Sequence, residues 1–456
     1  MRVRPLSLTL AVLTATLGLT ACGGGGKKRS SSNSTAAPVQ SAGTTAPTSG
    51  TLPTVPSGQI GGGISNPAGG NTSSGSANTG ATAGGYQGGT GVFVDASNLL
   101  PNSTDRDWGA EAGDFDGDGR IDIAIVVNQG ASRILFNNGA AGFSERAGHF
   151  PNLSMAASDV RAVDIDGDGD LDLIFSANFE PVRVFKNDGT GRFTLFQEFD
   201  LNNDAYTYKL VLGDANGDGH QDVFLARAGQ NTPSRGQNKL FLNDGTGTFT
   251  EAPAGSIPPK FDDSLNATFL DVNGDGHVDI IVANFGTPHT VLINNGTGRF
   301  VDQSDVWLPP GLTRYGTAIA QGDMNRDGKI DLFICNEGTG SPPPGEKNSL
   351  LLQSVGRFID DPAAVPSDDE ASFAVRLIDV DGDGWLDVVV SNLRAVQRLY
   401  MNRNGVLVDA TANFPAVNNV PANSRGLTIG DFNGDLAPDI LFVRSGAKPM
   451  LFLNTR

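Results

Sequence analysis

The sequence predicts an all-β fold, a seven-bladed β-propeller of four-stranded antiparallel blades. Three observations predict it. A nine-residue acidic segment, Asp-x-Asp/Asn-x-Asp-x-x-x-Asp, recurs seven times at intervals of 50 to 57 residues. Short apolar, β-rich segments lead into and out of each copy. Asn-Asp-Gly or Asn-Gly turns sit between later apolar runs, a strong hairpin signal. Self-similarity at this period marks a repeat architecture.

The N-terminus precedes the repeats and reads differently. Arg2 and Arg4 form a basic start, and an apolar stretch from Leu6 to Leu19 follows. That stretch is too short to span a bilayer and is expected to be an export signal covering residues 1–21. Leu19-Thr20-Ala21-Cys22 resembles a bacterial lipobox, which implies lipidation of Cys22. Residues 22–90 are rich in Gly, Ser, Thr, Ala and Pro, with only Lys27, Lys28 and Arg29 charged. Such a composition buries too little apolar surface to offset its ordering entropy, so it is expected to be a disordered tether. The propeller is expected over residues 91–456.

Within a repeat, Arg161-Ala162-Val163 enters the acidic loop and the segment from Asp172 to Asn178 leaves it. A third strand follows around Val182 to Phe185, then the turn at residues 187–191, then a fourth strand around Phe193 to Phe196. The last repeat stops after its third strand. The spare strand lies at residues 92–95, and pairing it with the last blade would close the ring without an open edge.

Aspartates at loop positions 1, 3, 5 and 9 present hard oxygen ligands, and position 7 can add a backbone carbonyl. This is the spacing of a Ca²⁺ loop, here without a distal Glu. Loop one offers Asp114, Asp116, Asp118, Arg120 and Asp122; loop two Asp164, Asp166, Asp168, Asp170 and Asp172. Loop three offers Asp214, Asn216, Asp218, His220 and Asp222; loop four Asp271, Asn273, Asp275, His277 and Asp279. Loop five offers Asp323, Asn325, Asp327, Lys329 and Asp331; loop six Asp379, Asp381, Asp383, Trp385 and Asp387. Loop seven offers Asp431, Asn433, Asp435 and Asp439, but Leu436 stands where the other six have Gly at position 6. Six to seven Ca²⁺ ions are therefore expected, with loop seven the weakest site. Positions 2 and 8 are largely apolar and should pack between blades.

Much of the net charge of −18 resides in these loops, and the acidic balance argues against nucleic acid as a partner. Cys335 stands alone in an apolar segment and reads as a buried small residue.

Residues 91–456 resemble the FG-GAP/VCBS repeat proteins, relatives of the integrin alpha-subunit propellers. The resemblance rests on the Asp-x-Asp-Gly-Asp-Gly-x-x-Asp loops and the Asn-Asp-Gly-x-Gly-x-Phe hairpins. It implies calcium in the loops, and members range from adhesins and matrix-binding proteins to a few carbohydrate-active enzymes.

No nucleophile elbow, phosphate-binding Gly loop or His-Glu-x-x-His motif occurs. His149, His220, His277 and His289 are not at metal-site spacing. No catalytic residues and no further cofactor are assigned. In a four-stranded meander the loops and hairpins above share one face. The longer segments 226–239 and 336–348 fall on the other, with connections carrying Trp108, Trp307 and Arg425. Tyr206, Tyr208, Arg314 and Tyr315 on that face are candidate ligand contacts, since aromatic residues and Arg favour contact sites. The expectation is a calcium-stabilised binding or adhesion module without catalysis. Its ligand would be an extracellular protein or polysaccharide. It would be an exported monomer, touching the membrane only through its N-terminal lipid, at the outer membrane or surface of a bacterial envelope. The alternative is a polysaccharide lyase-like enzyme on the same scaffold.

Overall fold

Alternating and continuous runs of Val, Ile, Leu and Phe favour half-buried and buried strands, and among the described residues the regular structure is almost entirely β. The computed structural model describes residues 86–199, 205–229, 236–339 and 345–456. Residues 1–21 (expected to be an export signal), Cys22, most of the expected tether, and parts of 226–239 and 336–348 lie outside the described residues.

The described strands group into seven antiparallel four-stranded meanders. In the first, Asp107–Gly113, Asp122–Ala131, Arg133–Asn137 and Phe143–Ser144 follow in order. The pattern restarts at Ser154, Tyr206, Ser264, Thr313 and Ala371. The seventh takes Ala422–Gly430, Asp439–Arg444 and Met450–Asn454, and its fourth strand is the N-terminal Phe93–Asp95. Phe93 lies opposite Asn454 and Asp95 opposite Phe452, so the two chain ends share one blade. First strands neighbour one another in a closed cycle, with Asp107–Gly113 meeting both Ser154–Val163 and Ala422–Gly430. The architecture is a β-propeller.

Residues 86–90 also pack against the ring, ahead of the boundary placed at 91. The Gln87 N–H donates to the Leu436 carbonyl at 2.9 Å and the Gly89 N–H to that of Val380 at 3.0 Å.

The core lies between blades. Position-2 loop residues are buried in all seven copies, from Ala215 and Val380 at 0% exposure to Phe432 at 5%. Phe115 packs among Leu173, Phe175 and Phe193 of the next blade. Burying such a ring stabilises by roughly 2–3 kcal/mol, so each acidic loop is tied to the blade interface. Cys335 is fully buried, as its surroundings predicted.

Every first strand carries a register shift at the same place, beginning with Asp107/Gly109 and Ala157/Asp159 and recurring in the other five. A bulge leaves one residue unpaired and re-aims its side chain. The bulged residues Trp108, Ser158, Tyr208, Leu265, Thr317 and Phe373 line one cavity of only about 10 Å³, which stoppers the ring axis at this level. The seventh, Arg425, stacks its guanidinium 4.7 Å from the Trp108 ring and 4.8 Å from that of Phe373. A charged layer neighbours it. Lys209 and Arg161 pair with Asp159 at 2.8 and 3.1 Å, and Arg161 and Arg376 each lie 3.8 Å from Glu111.

Candidate functional site

Each acidic loop is shaped by its own aspartates. The position-1 carboxylate accepts backbone N–H bonds from within the loop. Asp214 takes Gly217 at 2.7 Å, Asp218 at 3.0 Å and Gly219 at 2.8 Å. Position 6 is left-handed throughout, as at Gly119 with φ 84°. Loop seven takes the same form, with the Leu436 N–H donating to Asp431 at 2.8 Å and Leu436 itself at φ 68°. Holding a non-glycine residue there costs about 1–2 kcal/mol. Position 4 is left-handed too. Gly recurs there in every loop but the fifth, where Arg326 sits at φ 58°. The Arg326 guanidinium covers the Trp385 ring of loop six at 4.3 Å and donates to the Asp383 carbonyl at 2.9 Å.

Position-9 aspartates are fully buried or nearly so, and each bridges two strands. Asp122 accepts from the Phe115 N–H at 3.1 Å and the Asn137 N–H at 2.7 Å. Asp439 does the same with Phe432 at 2.9 Å and Asn454 at 2.8 Å. Burial outweighs these bonds and pushes the carboxyls up, to about 7 for Asp122, Asp172, Asp222 and Asp387, about 6 for Asp279 and Asp331, and about 8 for Asp439.

In loops one, two and six the carboxylates at positions 1, 3 and 9 converge, with one oxygen from each within 4.8 Å of the others: Asp114, Asp116 and Asp122; Asp164, Asp166 and Asp172; Asp379, Asp381 and Asp387. Asp118, Asp168 and Asp383 at position 5 instead accept local N–H bonds from position 7, at 3.0, 3.0 and 2.8 Å. Loops three, four and seven have Asn at position 3, and Asn216, Asn273 and Asn433 donate to the position-5 aspartates at 2.8, 2.9 and 3.0 Å. In loop five the Asn325 carbonyl accepts from the Asp327 N–H at 2.9 Å. These oxygen-only groups suit a hard cation. His220 and His277, at position 7, are exposed, and their rings lie over Gly245 and Gly296 of the neighbouring turns.

The two loop types differ in a second way. Where position 3 is Asp, a base reaches it: Arg146 to Asp116 at 2.5 Å, Lys186 to Asp166 at 2.6 Å and Arg403 to Asp381 at 2.8 Å. Among the described residues, no base pairs with the Asn residues of the other four. The position-3 site thus carries one balanced charge pair or none.

The candidate residues of the opposite face fall into two pairs. Tyr206 stacks on Tyr208 at 5.7 Å and meets Phe179 at 4.3 Å. Tyr315 packs edge-on against Phe285 at 5.0 Å. Arg314 is already engaged, 3.1 Å from Glu346 and 3.8 Å from Asp360. His289 is fully buried, and its Nδ1 accepts from the Asn284 N–H at 3.1 Å. The recurrent asparagines brace the turns, with Asn284 donating to the Pro288 carbonyl at 2.7 Å and Asn392 to that of Val396 at 2.8 Å.

The chain is similar to cartilage acidic protein 1 of Xenopus tropicalis, with 29% identity over 170 residues, 34% of this chain and 25% of that protein. It is also similar to the phosphatidylinositol-glycan-specific phospholipase D of Mus musculus, with 28% identity over 147 residues, 27% of this chain and 18% of that protein. It thus spans about a quarter or less of these relatives. Among solved structures, Chaetomium thermophilum Raptor aligns with 80% of this chain and 29% of its own, at TM-score 0.49 and 12% identity. The profile of the FG-GAP-like repeat matches residues 116–175, 174–225, 214–282, 271–334 and 379–442, together more than half of the chain. The chain belongs to the FG-GAP-like repeat family.

Proposed function

We propose that this protein is a calcium-stabilised binding module, exported and held at the cell envelope by lipid on Cys22. The observation that carries the calcium reading is the convergence of three carboxylates in loops one, two and six. Their donors are all oxygen, and the Oδ1 atom of Asp166 is buried with no hydrogen-bond partner. Positions 1, 3, 5 and 9 would hold the ion. Bound there, it supplies positive charge that removes the repulsion among carboxylates 332/(ε·r) makes costly at short range.

Such a site stiffens a scaffold. Each loop joins the first and second strands of its blade, and its position-9 aspartate also fixes the end of the third. These N–H bonds shape the loop, and an ion would add to them. Binding of a partner is assigned to the opposite face, where the connections vary in length and sequence. The family relationship and the similarity to cartilage acidic protein support a binding or adhesion role.

Calcium titration of the purified chain, followed by melting in calcium and in EDTA, tests the metal reading. Incorporation of labelled palmitate, lost in Cys22→Ser, tests the anchor.

A further inference from the structure

A cavity of about 390 Å³ opens where blades five, six and seven meet, at the ends of their strands remote from the acidic loops. Its volume falls within the range of small-molecule sites. Glu337 follows the second strand of blade five. Leu393 and Arg394 end the second strand of blade six, and Asn423 and Arg425 open the first strand of blade seven. Ser445, the exposed Asp369 and Glu370 complete the polar wall, and Glu370 is held by Arg398 at 2.6 Å. The long strand Asp387–Ala395 pairs with Ala422–Gly430 across the blade boundary, so Leu393 lies opposite Asn423 on a shared sheet.

Glu337 faces both Arg394 and Arg425 across the cavity without a close pair to either. Among the described residues, the Glu337 carboxylate and the Arg394 and Arg425 guanidiniums have no hydrogen-bond or ion-pair partner. Arg394 is exposed, whereas Arg425 is fixed between the Trp108 and Phe373 rings. Stacking orients the guanidinium plane without using its N–H groups. The contrast with a larger cavity of about 510 Å³ beside blade one is informative. There Arg133 pairs with Asp107 at 2.8 Å and Arg146 with Asp116 at 2.5 Å, so neither cation is available.

Two unpaired guanidiniums call for an anion, and planar ones favour a carboxylate. An acidic peptide would satisfy the arginines but bring its charge against Glu337. A hydroxylated acid limits that conflict to its single carboxylate, because its hydroxyls donate to Glu337 and Asp369 and accept from Asn423 or Ser445. We propose that this cavity binds a uronic-acid unit of an acidic polysaccharide, with the sugar carboxylate on Arg394 and Arg425 and its hydroxyls on Glu337, Asn423 and Ser445. The assignment rests on the reading of the protein as a binding module and gives that module its ligand class.

The test titrates short oligouronides into the full-length chain at fixed calcium, using galacturonate, mannuronate–guluronate and glucuronate oligomers. Methyl esters of each and an oligoglutamate peptide serve as comparisons. At least one oligouronide binds, and its ester, Arg394→Gln and Arg425→Gln each weaken binding about tenfold, the loss expected when a charge-assisted hydrogen-bond set is removed. Arg394→Gln leaves the melting temperature and calcium stoichiometry unchanged, which separates ligand loss from any unfolding caused by Arg425→Gln. The proposal is overturned if no oligouronide binds at millimolar concentration or if binding survives both arginine substitutions. Equal binding of oligoglutamate would also overturn it and point to an acidic protein segment. A neutral glycan bound equally by parent and variants removes the uronate and leaves the binding module standing.

Discussion

The Lys186 ammonium lies 2.6 Å from the Asp166 carboxylate and also donates to the Thr246 carbonyl at 2.7 Å. It therefore couples loop two of one blade to the hairpin of the next. Arg146 and Arg403 engage Asp116 and Asp381 in the other two loops with Asp at position 3. An added acid is matched by an added base, so these sites keep the charge of their Asn-containing counterparts.

Removing one of these bases should separate the two functions of the loop. Lys186→Met is expected to lower stability in EDTA by about 1 kcal/mol, as for loss of a partly buried pair. It should also raise the calcium affinity of that loop, because the ion meets one more net negative charge. Asp166→Asn combined with Lys186→Met should restore both properties. Melting curves with and without calcium read this out, and equal effects of the single and double substitutions would contradict it.

His289 gives the chain an acid-side sensitivity that does not depend on the loops. Burial, with Arg314 nearby, lowers its pKa from 6.5 to about 4. The folded value lies below the unfolded one, so protonation favours the unfolded chain. Stability is full above pH 6.5 and falls as the pH drops towards 4, by about 3 kcal/mol over that span. Gln397 accepts from the Asn392 N–H at 2.8 Å in blade six, the same role His289 plays in blade four. His289→Gln should therefore fold, and its unfolding free energy relative to the parent should rise as pH falls through this window. Urea titrations at stepped pH measure the difference, and a pH-independent difference would refute the assignment.

Ring closure depends on Phe93. The residue is 4% exposed and packs edge-on against Phe414 at 5.3 Å. Phe93→Ala should cost about 3–5 kcal/mol, the usual range for a buried ring. It should also loosen the strand that covers the edge of Met450–Asn454, promoting aggregation. Denaturant midpoints and light scattering would reveal both, and a variant as stable and monomeric as its parent would place closure elsewhere.

The parts of this architecture that repeat were legible in the sequence. Loop spacing, the apolar second position and the spare strand near Phe93 all follow from residues at fixed offsets. Features made by neighbouring blades were not. Arg146 lies thirty residues beyond Asp116 and Lys186 twenty beyond Asp166, so no common offset marks the pairing. The bulged positions were visible only as the place six residues before each loop where the repeat becomes irregular, from Trp108 to Arg425. Arg425 was legible as a residue of the face opposite the acidic loops, but its meeting with Glu337 and Arg394 was not, since three separate repeats must close into a ring before they share a cavity. Arg314, chosen from sequence as a contact residue, turned out to be paired with Glu346, because strand geometry brought a carboxylate beside it.

If the acidic loops hold calcium, the stability of the fold should depend on it. Calorimetric titration of the metal-stripped chain tests it most directly, with melting recorded before and after saturation. Six to seven ions per chain are expected, with loop seven the weakest of the seven sites, at affinities of about 10⁻⁴–10⁻³ M as in extracellular calcium modules. A marked rise in melting temperature on saturation is also expected. No calcium uptake at millimolar concentration, together with a melting curve that EDTA leaves unchanged, would contradict both.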